Sequence, residues 1–446
     1  MRDILIMMIV MPLALMALRR PWIGVLLWTW LSLMNPHRFA YGFALTAPVA
    51  ALAAVCTLVG MLAARDARES PFKGAPPVIL AIFMGWMTIS WLMGLDPERD
   101  YAQWDKVMKV NLMVLVTLML IRTRFQIMTF VWVATLSLAM LGIKGGLFTI
   151  ATGGAHRVWG PPGTFIYDNN HLALALVMTI PLLRFLQLQV TGTWLKASLT
   201  AGMFLVAAAA LGSQSRGGFL AICAMGLVLW WRGRNRFLTA VILVVSALLL
   251  LTMMPPEWAD RISTIGEYQE DDSAMGRLTA WRLAWEVALH YPFGVGFNAG
   301  RPELYQQFGL FTVVGNPVAH SIYFQILGQH GFVGLGLFLL LWLVTWNAAG
   351  RLRKETRGIP QARWAGDLGA MCQVSLVGYA VGGAFLNLAH FDWPYNVMAM
   401  VVMVRVWVRR RSWETEPVPE SPKRWQRLLG IVPPKPPKTP LAKEAT

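Results

Sequence analysis

Apolar runs of membrane-spanning length recur along nearly the whole chain, separated by short polar stretches, and no soluble core can absorb them. With 446 residues, 56% of them hydrophobic and only 14% charged, the composition is that of a protein dissolved in lipid. In a bilayer every backbone polar group must be satisfied within the segment that carries it, so such runs become helices. The expected fold class is therefore all-α: a polytopic integral membrane protein of about twelve or thirteen transmembrane helices. The uncertainty in number lies at the start, where runs 3–18 and 21–34 are short for full spans. Met1-Arg2-Asp3 leads into the first run without a small-residue cleavage site, which reads as a retained span.

The net charge of +16 does not indicate nucleic acid, because the Lys and Arg residues sit in short clusters between apolar runs instead of along one soluble face. Arg409-Arg410-Arg411 follows the run 393–408, and the positive-inside bias assigns that end to the cytoplasm. Alternation then places the basic stretches 348–366, 231–236, Arg122 with Arg124, and 64–76 on the same side. The stretches assigned outside differ in kind: 95–106 holds Asp96, Glu98, Asp100 and Asp105, and 255–318 holds eight acidic residues, four Arg and no Lys. Residues 1–411 thus read as one membrane domain carrying a large outer loop at 255–318, while 412–446, Pro-rich and basic, reads as a disordered tail near anionic lipid. Cys56, Cys223 and Cys372 lie in apolar runs without metal-ligand spacing, so neither a disulfide framework nor a metal site is expected.

Span centres carry almost no charge; Lys144, Arg184 and Arg405 lie near span ends, where they can reach an interface. Transport pathways usually place ionisable groups at mid-membrane depth. Here polar residues gather on the outer face, which suits an enzyme acting on a lipid-linked substrate better than a lipid or glycan transporter.

Four elements make up that face. Gly212-Ser213-Gln214-Ser215-Arg216-Gly217-Gly218 is a tight turn whose single charge, Arg216, lies where the positive-inside rule disfavours it. A guanidinium there can fork onto phosphate oxygens of a substrate or simply hold a lipid head group. The second element, 273–289, repeats Leu278, Trp281, Trp285 and Leu289 at helical spacing, as an amphipathic helix on the membrane surface does. Within it Arg282 stands four residues before Glu286 and is expected to form an ordinary surface pair, whereas Arg277 falls in the first turn, where a cation opposes the helix dipole, with no acidic residue at plus three or plus four. Arg277 is the stronger site candidate for that reason.

The third element, His320-Ser321, opens the helix preceding the basic stretch 348–366. A lone histidine there is commonly just an interfacial residue, but a helix N-terminus disfavours imidazolium and keeps it able to accept a proton. His330, deeper along the same helix, reads as packing or hydrogen bonding. The fourth element runs from Arg157 through Gly163 to Asp168-Asn169-Asn170-His171. Its amides can bind sugar hydroxyls, though helix capping is the simpler role for Asp168 and Asn169.

His320-Ser321, nine further residues and then Gly331-x-x-Gly334 resemble the H-[NSQ]-x9-G-x-x-G pattern of the bacterial O-antigen ligase family. Ser215-Arg216-Gly217 and Pro292-x-Gly294-x-Gly296 are similar to further elements of that family, and the likeness is best over 150–347. Asn35-Pro36-His37-Arg38 and the Gly163 to Asn170 stretch resemble, within it, the O-glycosylation ligases that accompany exosortase systems. Gln329 departs from the pattern, since many relatives carry an acid there.

The resemblance implies transfer of a glycan from an undecaprenyl-pyrophosphate carrier to an acceptor hydroxyl, of lipid A-core or of a protein, at the periplasmic face of the bacterial inner membrane. It implies an inverting reaction without cofactor or metal, in which Arg216 and Arg277 neutralise the pyrophosphate and His320 takes the acceptor's proton. Arg157, Asn170 and Arg282 are further expected substrate contacts. An O-antigen polymerase and a protein O-oligosaccharyltransferase are the alternatives within the same chemistry.

Overall fold

A computed structural model describes residues 1–63, 68–232, 272–310, 318–416 and 423–432, with six isolated positions between Phe237 and Leu248. The described chain is helical throughout, without strands, as an all-α membrane protein requires. The principal helices are α1 Arg2–Arg19, α2 Pro21–Met34, α3 Val49–Ala63, α4 Ala75–Leu92, α5 Pro97–Leu120, α6 Arg124–Ala151, α7 Asn169–Gln189, α8 Thr193–Gly212 and α9 Arg216–Arg232. They continue with α10 Asp272–His290, the short α11 Pro302–Gln307, α12 Ile322–Glu355, α13 Arg363–Gly383 and α14 Asp392–Arg409. Five of them, α4, α6, α7, α8 and α12, are each long and apolar enough to cross a membrane, and α2, α3 and α9 are shorter apolar helices.

The runs at the start form two separate helices, divided at Arg20 with Pro21 opening the second. Together with α3 they enclose a small core of Ile6, Val10, Ala14, Leu27, Leu31 and Ala53. The main core surrounds α14, which packs against α2, α4, α5, α6, α12 and α13 and buries nearly every residue from Asp392 to Val404. Outward apolar side chains on α1, α4, α8 and α9, such as Leu15, Ile82, Trp194 and Leu227, remain exposed, as helices facing lipid should leave them.

Charge separates the two ends of the bundle. At one end Glu69 binds Lys73 at 2.7 Å, Arg122 at 3.6 Å and Arg410, joining the basic stretches 64–76, 122–124 and 409–411. Arg405 reaches Glu355 at 3.4 Å, which adds the stretch after α12 to the same end. Three of the four interior basic stretches assigned by alternation therefore share one end of the bundle, while 233–236 lie outside the described residues.

Two expectations change. The acidic stretch 95–106 is not a loop: Asp96 caps α5 by accepting from Arg99 N at 3.0 Å, and Asp100 lies in its first turn, where an acid suits the helix dipole. Part of the segment read as a disordered tail is packed. Trp407 Nε1 donates to Glu416 at 2.7 Å, Trp132 Nε1 donates to the Leu429 carbonyl at 3.1 Å, and Ile431 and Val432 are buried. Aromatic N–H donors on α6 and α14, together with the apolar anchors Ile431 and Val432, supply what the Pro-rich composition concealed; 417–422 and 433–446 lie outside the described residues.

Asp100 also joins the outer insert to the bundle. Arg301 Nη2 donates to it at 2.8 Å and Phe297 N at 2.8 Å, while Arg301 Nη1 reaches Asp96 at 3.4 Å. Asp100 and Arg301 are both about 4% exposed, so neither charge has water to replace its partner. Asp100→Ala should lower stability by about 3–5 kcal/mol, as removing one member of a buried pair does. Thermal unfolding in detergent checks this, and Arg99→Ala, on the exposed side of the same turn, should change little.

Candidate active site at the acidic end of the bundle

The first element of the site is a break in α12. Gly331 adopts φ 66 and ψ −171, which interrupts the helical ladder and leaves carbonyls of the preceding turn without helical partners. The turn at 293–296 takes them up. Val295 N and Gly296 N donate to the Gln329 carbonyl at 3.1 and 3.2 Å, joined by Ser90 Oγ at 2.9 Å, and Trp86 Nε1 donates to the His330 carbonyl at 2.8 Å. The backbones meet without room for side chains: a Cβ on Gly331 lies 2.8 Å from Pro292 O, and one on Gly294, itself at φ 83, collides with Gln329 O. The glycines of Pro292-x-Gly294-x-Gly296 and of Gly331-x-x-Gly334 are thus two halves of one joint. Gly331 serves both a change of chain direction and the close approach of the 292–294 backbone.

Gln329 and His330 complete the joint. The Gln329 amide donates to the Phe297 carbonyl, and its Oε1 lies 2.8 Å from His390 Nε2. His330 Nδ1 lies 3.0 Å from Ser90 Oγ and its ring is fully buried, which agrees with a hydrogen-bonding role. A neutral amide at 329 both donates and accepts here, and a carboxylate cannot do both.

The joint positions His320 one helical segment away. Ser321 N, at the start of α12, donates to Asn387 Oδ1 at 3.1 Å, and Trp281 of α10 donates to the Ala319 carbonyl at 2.6 Å while stacking on Phe324 at 4.8 Å. His320 itself has φ 43, a left-handed conformation uncommon outside glycine and costing about 1–3 kcal/mol. Its ring is half-buried, within electrostatic reach of Arg277, His171 and Asp168. Burial, then the charge of Arg277 and the His171 ring, hold its pKa below the usual histidine range, and Asp168 pulls the other way. His320 is therefore a neutral imidazole over a wider acid range than usual.

The remaining elements converge on the same end. Arg216 is the first residue of α9; before it Ser215 caps the helix by accepting from Gly218 N at 3.1 Å. Asn169 donates to Ser213 O at 2.7 Å, and a Cβ on Gly217 lies 3.1 Å from Phe385, in the corner that contains Asn387. The Arg216 turn consequently touches both α7, next to Asp168 and His171, and the corner that holds Ser321. Arg157 turns to that turn as well, Nε donating to Gln214 Oε1 at 3.3 Å. Asp168 caps α7 through Asn170 N at 2.9 Å, whereas Asn169 is a buried cross-link and not a cap. Asn170 Nδ2 lies 3.3 Å from Asn169 Oδ1.

Arg282 stands apart from these groups. It is exposed, and among the described residues its expected ion pair with Glu286 does not form. One helical turn separates Arg277 from Trp281, so both lie on the face of α10 turned to residue 319, while Arg282 is rotated about 100° from Trp281. The helix buries Ala280, Leu283, Ala284, Val287 and Ala288 against the protein and leaves Leu278, Trp285 and Leu289 exposed as an apolar stripe. His171 is the neighbour of His320 that sequence reasoning passed over. The available signal was its place three residues after Asp168 at the mouth of a span.

Residues 201–339 match the family model described as O-Antigen ligase, and residues 1–191 match one described as Family of unknown function (DUF5935). No curated protein matches the chain. The first match contains Arg216, the Pro292 to Gly296 turn, His320 and the Gly331 break, and it supports ligase-type glycan transfer in general.

Gly294→Ala should unseat the joint, with about 1–3 kcal/mol from the strained φ alone and more from the collision. Gly85→Ala, where a Cβ meets nothing within 4 Å, is the control. Comparing thermal unfolding of the two variants checks this.

Proposed function

We propose that the chain is an inverting glycan ligase that transfers a glycan from a polyprenyl-pyrophosphate donor, of the undecaprenyl type, to an acceptor hydroxyl at the periplasmic surface of the inner membrane. The observation that carries this reading is the meeting of His320 with Arg277, Asp168 and His171 at the end of the bundle opposite the basic stretches. In the reaction the acceptor oxygen attacks the anomeric carbon and its proton passes to His320. The bond from that carbon to the pyrophosphate oxygen breaks, and the electron pair leaves with the polyprenyl pyrophosphate. Arg216 and Arg277 take up the charge that develops on the leaving group. Asp168 stabilises the imidazolium formed on His320. Arg157 and Asn170, beside the Arg216 turn, contact the donor glycan. The exposed stripe Leu278, Trp285 and Leu289 faces lipid, where the polyprenyl chain enters.

Transfer of a defined lipid-linked donor in reconstituted vesicles tests the assignment. His320→Ala should lower transfer by about 10²–10⁴-fold while donor binding persists. Arg216→Lys and Arg277→Lys should each lose at least about ten-fold, because an ammonium cannot make the forked contact, and Arg282→Lys should stay active. Near-normal transfer by His320→Ala eliminates the base, and a dead Arg282→Lys beside an active Arg277→Lys means the wrong arginine was chosen.

The pH profile provides a separate check. A base with a depressed pKa stays deprotonated to lower pH, so the acid limb of transfer should lie below about 6.5. Asp168→Asn keeps the cap but removes the one neighbour that raises the pKa, and should move that limb lower still.

The charge is assigned to two guanidiniums, so the purified enzyme should transfer at nearly its normal rate in excess chelator. Loss of activity restored by magnesium or manganese rejects that assignment.

A further inference from the structure

At the opposite, basic end a cavity of about 320 Å³, roughly ten water volumes, opens between α4, α12 and α14. Its walls are of two kinds. Lys73, Arg405, Arg409 and Arg410 line one part, and Pro76, Ala348, Val402 and Val406 line the part that continues along the helices. Among the described residues the cations outnumber the acids paired with them: Glu69 is shared by Lys73, Arg122 and Arg410, and Glu355 pairs with Arg405. Arg409 has no carboxylate partner among the described residues. Arg405 is largely buried, its side chain 11% exposed, yet among the described residues its Nε has no acceptor, and Glu355 Oε2, on its own partner, is not turned to it. A buried guanidinium N–H without an acceptor implies a missing acceptor, since leaving it bare costs about 1–3 kcal/mol or more.

The start of α4 adds to this. Gly74 and Pro76 lie on the cavity wall; Pro76 and Pro77 bring no N–H to the first turn, so α4 contributes only the positive end of its dipole, which favours an anion. The ligand these walls fit is therefore an anion with oxygen acceptors attached to an apolar body.

We propose that this cavity binds the phosphate-bearing head group of an anionic phospholipid, with Arg409, Arg410, Lys73 and Arg405 on the phosphate and the acyl chains along Val402, Val406 and Ala348. Phosphate oxygens supply the acceptor that Arg405 Nε lacks, and the apolar continuation of the walls favours a lipid over a free phosphate. Bound there, the lipid ties α4 and α12 to α14, the helix around which the core is built. The site is independent of the glycan-transfer reading, since it lies at the other end of the bundle.

The full-length protein in non-ionic detergent is titrated with phosphatidylglycerol while its unfolding temperature is followed. Parallel titrations use phosphatidylcholine of the same chains, glycerol phosphate and inorganic phosphate. Phosphatidylglycerol should raise the unfolding temperature saturably, and the other three should not at the same concentrations. Arg409→Gln, which breaks no ion pair, should weaken the apparent affinity about five-fold, and Lys73→Gln should weaken it by a further similar factor. Each variant is referred to its own unfolding temperature without lipid. Arg357→Gln, in the basic stretch 348–366 at the same end but off the cavity wall, should bind as the unmodified protein does. Unchanged affinity in Arg409→Gln with Lys73→Gln overturns the site. An equal shift with inorganic phosphate or glycerol phosphate overturns the lipid as its source, and an equal shift with phosphatidylcholine overturns the requirement for charge.

Discussion

The interruption of α12 at Gly331 organises the acidic end of this protein. A helix crossing a membrane cannot leave carbonyls bare, and the break frees the Gln329 and His330 carbonyls at a depth where water does not substitute. They are satisfied from three directions, by the 293–296 turn of the insert and by Ser90 and Trp86 of α4. One residue at positive φ thus obliges the 293–296 turn, the neighbouring helix α4 and the first turns of α12 to meet at one place. The approach is so close that both sides carry glycine.

A second constraint works through charge. The pair Asp100–Arg301 holds the far side of the same insert segment to the start of α5, and its burial makes the attachment costly to undo. Between these two attachments the insert is restrained along 292–301, and α10 is placed by the stacking of Trp281 on Phe324. Arg277 is carried to His320 by that placement. The histidine sits on a left-handed residue, and strain of this kind is stored where neighbouring structure over-determines it, commonly at sites that do chemistry.

The two ends of the bundle use charge differently. At the basic end the arginines and lysines gather around carboxylates such as Glu69 and Glu355 and around a cavity; at the other, Arg157, Arg216 and Arg277 stand near histidine and amide groups. The basic end gathers many like charges around shared carboxylates, and the other end places single groups at defined positions.

Much of this was legible in the residues. The length and spacing of apolar runs determined an all-α membrane protein, because runs of this length satisfy their backbone in lipid as helices, and the basic stretches that the described residues cover gather at one end of the bundle. Local patterns also identified the helix containing Arg277 and the Asp168 cap. Other features depended on partners far away in the chain. The acidic stretch 95–106 looked like a loop until Arg301, two hundred residues on, neutralised its Asp100; residues 423–432 looked unpacked because their anchors lie on α6 and α7; and the Arg282–Glu286 pair, sound by spacing, did not form on an exposed helix face where water competes. The convergence of His320 with Arg277, His171 and Asp168 belongs to the same class. Periodicity and composition express what a segment needs from its solvent, and those needs are local. Which segment supplies a hydrogen bond, a counter-charge or a neighbouring ring is decided only when the chain is packed, because each such group is satisfied by proximity in space, not in sequence.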